Sequence, residues 1–165
     1  MDVLILRHGK AEKRGFEGKA DGDRLLTPKG AKEIRGVAKW MVRAGISPEV
    51  IATSPLSRAR ETAEIVAEGI SYGGEVVLWD ELGPGPDPGA VAERLAGLPD
   101  VSLVLLVGHE PQLSGLAARL AGAGAGARIA LGKGGMVKIQ GYDPASGISG
   151  ELAWLLTPDL IRDMT

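Results

Sequence analysis

The chain has 165 residues, with 19 Lys and Arg against 21 Asp and Glu for a net charge of −2, a balance that excludes the basic field nucleic-acid binding requires. Hydrophobic residues make up 44% and aromatics only 4%, so the length suits a single domain over residues 1–165 with an aliphatic core. Cysteine is absent, which excludes disulfides and thiolate metal sites.

Residues 3–6, Val-Leu-Ile-Leu, form an unalternating apolar run and predict a strand covered on both faces. Asp2 and Arg7 bracket it, and the run is too short for a signal or membrane segment. A soluble, cytoplasmic protein without membrane contact is expected. Next comes a helix whose face carries Ile34, Val37, Ala38 and Met41. Residues 50–52 predict a second strand and residues 75–78 a weaker one. A helical face follows at Val91, Ala92 and Leu95. Residues 101–107 give the strongest strand, and Leu113, Leu116, Ala117 and Leu120 the next helical face. The Gly-Ala run at residues 122–127 reads as a plain connection. Weaker strands are expected at residues 136–140 and 151–156, their direction left open. Thr27-Pro28, Ser54-Pro55 and Thr157-Pro158 each place a capping hydroxyl before a proline suited to the first helical position. Trp40, Trp79 and Trp154 are expected to pack. Alternating strands and helices predict an α/β fold, a three-layer α/β/α sandwich with a mostly parallel central sheet.

Chemistry collects behind the strong strands. Arg7-His8-Gly9 follows the first, Ser54-Pro55-Leu56-Ser57-Arg58-Ala59-Arg60 the second, and Gly108-His109-Glu110-Pro111 the fourth. Ligands of open α/β sheets bind outside the carboxyl ends of the strands, so both histidines of the chain point to one sheet edge with the arginines. Guanidinium forks match phosphate oxygens. A neutral imidazole nitrogen can attack phosphorus, and a second histidine, if protonated, adds a donor where the transition state carries charge. Gly9 lets backbone approach the ligand, and helix starts after Pro55 and Pro111 aim amides at the same anion. No metal and no cofactor is expected. Arg60 should face away from Arg58, and Lys10 and Lys133 read as exposed lysines.

The motifs Leu6-Arg7-His8-Gly9, Ser54 to Ala63, Gly108-His109 and Leu26-Thr27-Pro28-Lys29-Gly30 resemble, in order and spacing, those of the histidine phosphatase superfamily, which includes the phosphoglycerate mutases. The short length, the Arg-His-Gly-Lys-Ala-Glu opening and the stretch from Asp80 to Gly85 look most like its SixA-type phosphohistidine phosphatases. The resemblance implies a phosphoglycerate mutase-like fold and a metal-independent hydrolase active in signal transduction. It makes His8 the nucleophile, with Arg7, Arg58 and His109 completing the phosphate pocket and Arg24 an added basic residue. Glu81 falls near the position where other members hold a carboxylic acid that protonates the leaving oxygen. An imidazole leaving group needs such an acid less than an alkoxide does, and a chain this short leaves the pocket open. Both favour phosphohistidine on a protein as substrate. Two alternatives stand beside it: a broad phosphomonoesterase acting on small phosphate esters, and a non-catalytic phosphoprotein-binding module.

Overall fold

The structure, a computed structural model, describes residues 1–85, 87–123 and 127–164. Its described strands are β1 (Asp2–Arg7), β2 (Val50–Thr53), β3 (Val76–Leu78), β4 (Leu103–Gly108), β5 (Met136–Gln140) and β6 (Glu151–Leu156), joined in the order β3-β2-β4-β1-β5-β6. The first four are parallel. β5 runs antiparallel to β1, and β6 antiparallel to β5. This fixes the direction left open by the sequence: β5 and β6 are consecutive and joined without a crossover helix, as only an antiparallel pair can be.

Among the described residues five α-helices cover the sheet: α1 (Pro28–Arg43), α2 (Ser57–Gly69), α3 (Pro88–Ala96), α4 (Gln112–Leu120) and α5 (Pro158–Asp163). Successive side chains of a strand point to opposite faces. Val3, Ile5, Val104 and Leu106 therefore pack on one side with Val91 and Leu95 of α3 and Leu113 and Leu116 of α4. Leu4, Leu6, Leu105 and Val107 pack on the other with Ile34 and Met41 of α1, Val66 of α2 and Ile161 of α5. Two covered faces are the physical reason for the unalternating apolar runs, and the α/β/α layering is as expected. The tryptophans pack: Trp79 is buried with Arg94 over its ring at 5.0 Å, and Trp40 and Trp154 meet edge-on at 5.5 Å.

Two of the three expected caps form. Thr27 Oγ1 accepts from the Gly30 amide at 3.0 Å and Thr157 Oγ1 from the Leu160 amide at 3.3 Å. Ser54 is a correction: α2 begins at Ser57, behind Leu56 and without a side-chain cap. Asp87-Pro88 uses the same device unforeseen, with Asp87 Oδ1 accepting from the Gly89 amide at 3.0 Å. Of the expected connection at residues 122–127, residues 124–126 lie outside the described residues. Among the described residues no helix is long and apolar enough to cross a membrane.

Candidate active site

The carboxyl ends of β1, β2 and β4 lie side by side because those strands are neighbours in the sheet. Main-chain bonds lock them at the chemistry: the His8 amide donates to Gly108 O at 3.1 Å and the Ser54 amide to Val107 O at 2.9 Å. The segment before β5 closes the other flank, with Gly134 N donating to the carbonyls of Arg7 and His8, each at 3.1 Å. Above these ends opens a cleft of about 190 Å³ lined by Arg7, His8, Arg58, His109, Arg24 and Asp21, with Arg14, Lys133, Pro84 and Glu110 at its walls.

His8 is 6% exposed. Its Nδ1 lies 2.8 Å from Gly9 O, an acceptor only, so Nδ1 carries the proton and Nε2 is left with its lone pair. The Gly9 amide in turn donates to Thr62 Oγ1 at 3.1 Å, and Thr62 Oγ1 donates to Arg58 O at 2.7 Å. One threonine thus ties the His8–Gly9 turn to the first turns of α2. Gly9 is required for a reason other than ligand approach: a Cβ there would stand 2.8 Å from Ile34 Cγ1, so the residue admits α1 against the turn.

His109 is 3% exposed and its ring centroid is 5.0 Å from that of His8. Its Nε2 lies 2.8 Å from Ser54 Oγ. The same hydroxyl accepts from the Leu56 amide at 3.3 Å, ahead of α2, so it serves the chain before the helix and the second histidine together. Burial pushes the His8 pKa down from 6.5 to about 4, and the charges of Arg58, Arg7 and Lys133 add to the fall against the Gly9 bond. Burial likewise pushes His109 down to about 3, helped by His8 and Arg58. Both imidazoles are therefore neutral at neutral pH, each keeping a single ring N–H.

Arg58, in the first turn of α2, is 5% exposed and donates through Nη1 to Asp21 O at 2.8 Å and through Nη2 to Asp21 Oδ2 at 3.3 Å. Arg7 Nη1 donates to Leu131 O at 2.9 Å. Arg24 is brought to the cleft, donating through Nε to Asp21 Oδ1 at 3.0 Å and through Nη1 to Glu12 O at 2.7 Å. Arg7 Nε, Arg58 Nε and His109 Nδ1 are buried without a hydrogen-bond partner among the described residues. Crowded cations are visible in two further shifts: burial lowers the Lys133 pKa with Arg7 and Arg24 adding to it, and burial with the Arg24 charge lowers that of Arg58. Arg60 turns to the surface and pairs with Glu64 at 3.8 Å.

Glu81 is not among the residues lining the cleft. Its carboxylate accepts from Arg94 Nη1 at 2.9 and 3.1 Å, and its own backbone amide and then Arg94 hold its pKa below the usual carboxylate value. The carboxylates that do line the cleft are Asp21 and Glu110. Burial works against the Asp21 charge, but the bond from Arg24 and the charges of Arg58, Arg24 and Arg14 prevail and lower its pKa. Glu110 accepts from the Ser114 amide at 3.0 Å and bonds the Ser114 hydroxyl. Ser54, read only as a cap, and Thr62 and Asp21, given no role, are the residues whose part in the site sequence reasoning missed. Ser54 and Thr62 stand inside the quoted second motif, whereas no local pattern marks Asp21.

The model of the histidine phosphatase superfamily (branch 1) matches residues 3–83. The phosphohistidine phosphatase SixA of Escherichia coli is 33% identical over 122 residues, 73% of this chain and 74% of that one. A solved structure of the protein histidine phosphatase SixA complexed with tungstate superposes with a TM-score of 0.86 at 27% identity, covering 96% of this chain and 98% of the other. An Escherichia coli structure described as a putative α-ribazole-5′-P phosphatase shares the fold, with a TM-score of 0.75 at 20% identity over 97% and 98% of the two chains. Motifs at three adjacent strand ends, a matching family model and a relative alike over three quarters of its length agree: the chain belongs to the histidine phosphatase superfamily and is a phosphatase.

Proposed function

We propose that this phosphatase hydrolyses phosphohistidine on a protein through a covalent intermediate on His8, without a metal. The observation that carries the reading is a preformed cationic cleft whose lining carboxylates, Asp21 and Glu110, are already engaged within the protein. Asp21 is held ionised by three arginines and Glu110 is held by Ser114, while Glu81 stands outside the cleft in an ion pair. Expelling an alkoxide needs an acid, worth roughly 10²–10⁴-fold when present. Expelling a neutral imidazole does not.

The phosphoryl oxygens dock on Arg7, Arg58 and His109, whose unpartnered buried nitrogens gain acceptors that each cost about 1–3 kcal/mol to lack. The substrate imidazole, protonated by solvent on its free ring nitrogen, leaves as a neutral ring with the electron pair of the P–N bond as His8 Nε2 attacks phosphorus. The Nδ1–H···O=C bond to Gly9 stabilises the charge that develops on the His8 ring. Water then attacks phosphorus, the P–Nε2 bond breaks, and inorganic phosphate leaves. His109 donates a ring N–H to an equatorial oxygen, and the dianion raises its proton affinity. The SixA relative carries the same activity in its name, and tungstate, an oxyanion shaped like phosphate, is bound in the SixA structure. Among the described residues no group of three or more His, Cys, Asp or Glu could hold a metal ion.

The test is phosphate release from a histidine-phosphorylated protein with EDTA present, wild type against His8→Ala. Release by the wild type alone, with a base-stable and acid-labile phosphoryl label trapped on the enzyme, is the expected result. Equal release by His8→Ala, or hydrolysis of small phosphate esters with none of phosphohistidine, overturns the reading.

A further inference from the structure

A second concavity, about 560 Å³, lies outside the cleft between α1 and α5. Its apolar floor is Pro158 and the buried Ile161, and its α1 wall carries Lys32, Arg35, Gly36 and Lys39. Lys29 and Arg162 also line it, so five lining residues are basic against one acidic residue, Glu33, on a chain whose net charge is −2. Lys32, Arg35 and Lys39 are exposed and make no ion pair among the described residues. They sit at i, i+3 and i+7 on one helix face, where like charges destabilise the helix.

Gly36 carries an independent signal. Glycine inside a helix is unfavourable relative to alanine, and nothing in this fold demands it: a Cβ at Gly36 would meet no atom within 4 Å. Its missing side chain leaves the groove open to something from outside. The groove also adjoins the cleft. Thr27, at the start of α1, donates through N and Oγ1 to Lys10 O at 2.8 and 3.1 Å, two residues after His8. On the α5 side, a Cβ at Gly134 would lie 2.9 Å from Pro158 Cγ, and Gly134 is the residue whose amide bonds the Arg7 and His8 carbonyls.

We infer that the α1–α5 groove docks the acidic flank of the protein that bears the phosphohistidine, a proposal resting on the function given above. A cleft of about 190 Å³ holds a phosphoryl group and little else, so recognition of the carrier falls to surface beside it. Complementary charge there speeds encounter and sets register, and salt weakens it. The gap left at Gly36 lets the carrier backbone or a bulky apolar side chain reach the Ile161 floor.

Two variants test this by different physics, and neither alters a residue of the cleft. Lys32→Glu/Arg35→Glu/Lys39→Glu reverses the charge, and Gly36→Leu fills the groove with a better helix former. Two substrates are compared: a histidine-phosphorylated phosphotransfer domain with acidic residues beside its histidine, and free phosphohistidine. The triple variant should lose tenfold or more in kcat/KM on the phosphoprotein, mainly through KM, together with the wild type's salt dependence. Gly36→Leu should lose several-fold on the phosphoprotein and unfold at no lower temperature. Both should match the wild type on free phosphohistidine. Wild-type turnover of both substrates with unchanged variants overturns the docking surface alone, as does equal wild-type kcat/KM on the two. Wild-type turnover of neither overturns the phosphohistidine reading and the docking surface with it.

Discussion

The two walls of the cleft are held by different forces. The strand-end wall carries His8, Ser54 and His109 on buried main-chain bonds between neighbouring strands. The opposite wall, residues 12–24, is mostly exposed and is tied together by charge, Asp21 meeting Arg14 at 3.2 Å and Arg24 at 2.9 Å; it reaches the first wall through Arg58, 3.3 Å from the Asp21 carboxylate. Atoms that must meet phosphorus within tenths of an ångström sit on the rigid wall, where packing fixes rotamers. Ion pairs that water screens are worth ~0–1 kcal/mol each, so the charged wall can rearrange when an anion replaces Asp21 at the guanidinium forks.

Substitutions on the rigid wall should therefore cost rate, and those on the charged wall binding. The largest effect belongs to His8→Ala, which removes the proposed attacking nitrogen; kcat on phosphohistidine should fall by about 10⁴-fold or more. Retention of wild-type kcat would remove His8 from the mechanism. Arg58 belongs to both walls, anchored on α2 yet bonded to Asp21. Arg58→Ala should lower kcat/KM by roughly 10²–10³-fold, with far-UV circular dichroism unchanged; a drop under threefold would leave the phosphate without its main fork.

Ser54→Ala should cost roughly ten- to a hundredfold in kcat with KM nearly unchanged, since the ring of His109 loses its Nε2 partner while the guanidinium contacts stay. Ser54→Thr, which keeps the hydroxyl, should recover most of the loss. An equal loss in both variants would mean that Ser54 serves packing at β2 rather than His109.

The same division separates what the sequence could reveal from what it could not. Features encoded in a continuous run were legible. Unalternating aliphatic strands imply a doubly covered sheet, and residues directly after such strands, His8, Arg58 and His109, must share its carboxyl edge. Features that depend on which distant groups meet were not. The hydroxyl of Ser54 before Pro55 has the local form of a cap and does bond the Leu56 amide, but only the neighbouring position of β4 brings His109 to it. Gly9 reads locally as a concession to ligand and is in fact a concession to Ile34. Asp21 lies in a charged loop whose approach to Arg58 spans 37 residues of sequence, beyond any periodicity. Arg24 is legible only through the family resemblance, for the same reason.

Acid tests the buried wall through stability. His8 and His109 have folded pKa values of about 4 and about 3 against 6.5 in the unfolded chain. Between those limits the unfolded state binds more protons, so unfolding free energy falls as pH drops below 6.5. Each histidine removes about 2 kcal/mol by pH 5 on this linkage, less when both act together. The urea midpoint should fall between pH 7 and pH 5 in the wild type and fall less in His109→Gln. Equal falls in the two proteins would locate the acid sensitivity elsewhere.

The smallest effect is expected from Asp21→Asn, on the charged wall. The Asp21 carboxylate occupies hydrogen-bonding positions of Arg58 and Arg24 that a phosphoryl group needs, and it neutralises part of a cluster already strained enough to depress Lys133 and Arg58. Its backbone carbonyl, which accepts from Arg58 Nη1, survives the substitution, so the fork keeps its aim. Removing the charge should tighten competitive inhibition by inorganic phosphate about three- to tenfold, the scale of one partly screened charge interaction, and leave kcat within twofold. The gain should fade at high ionic strength, where the competing carboxylate is screened in the wild type as well. Weaker phosphate inhibition in Asp21→Asn would mean that the carboxylate orders the arginines more than it competes with the anion, and the charged wall would then belong with the rigid one.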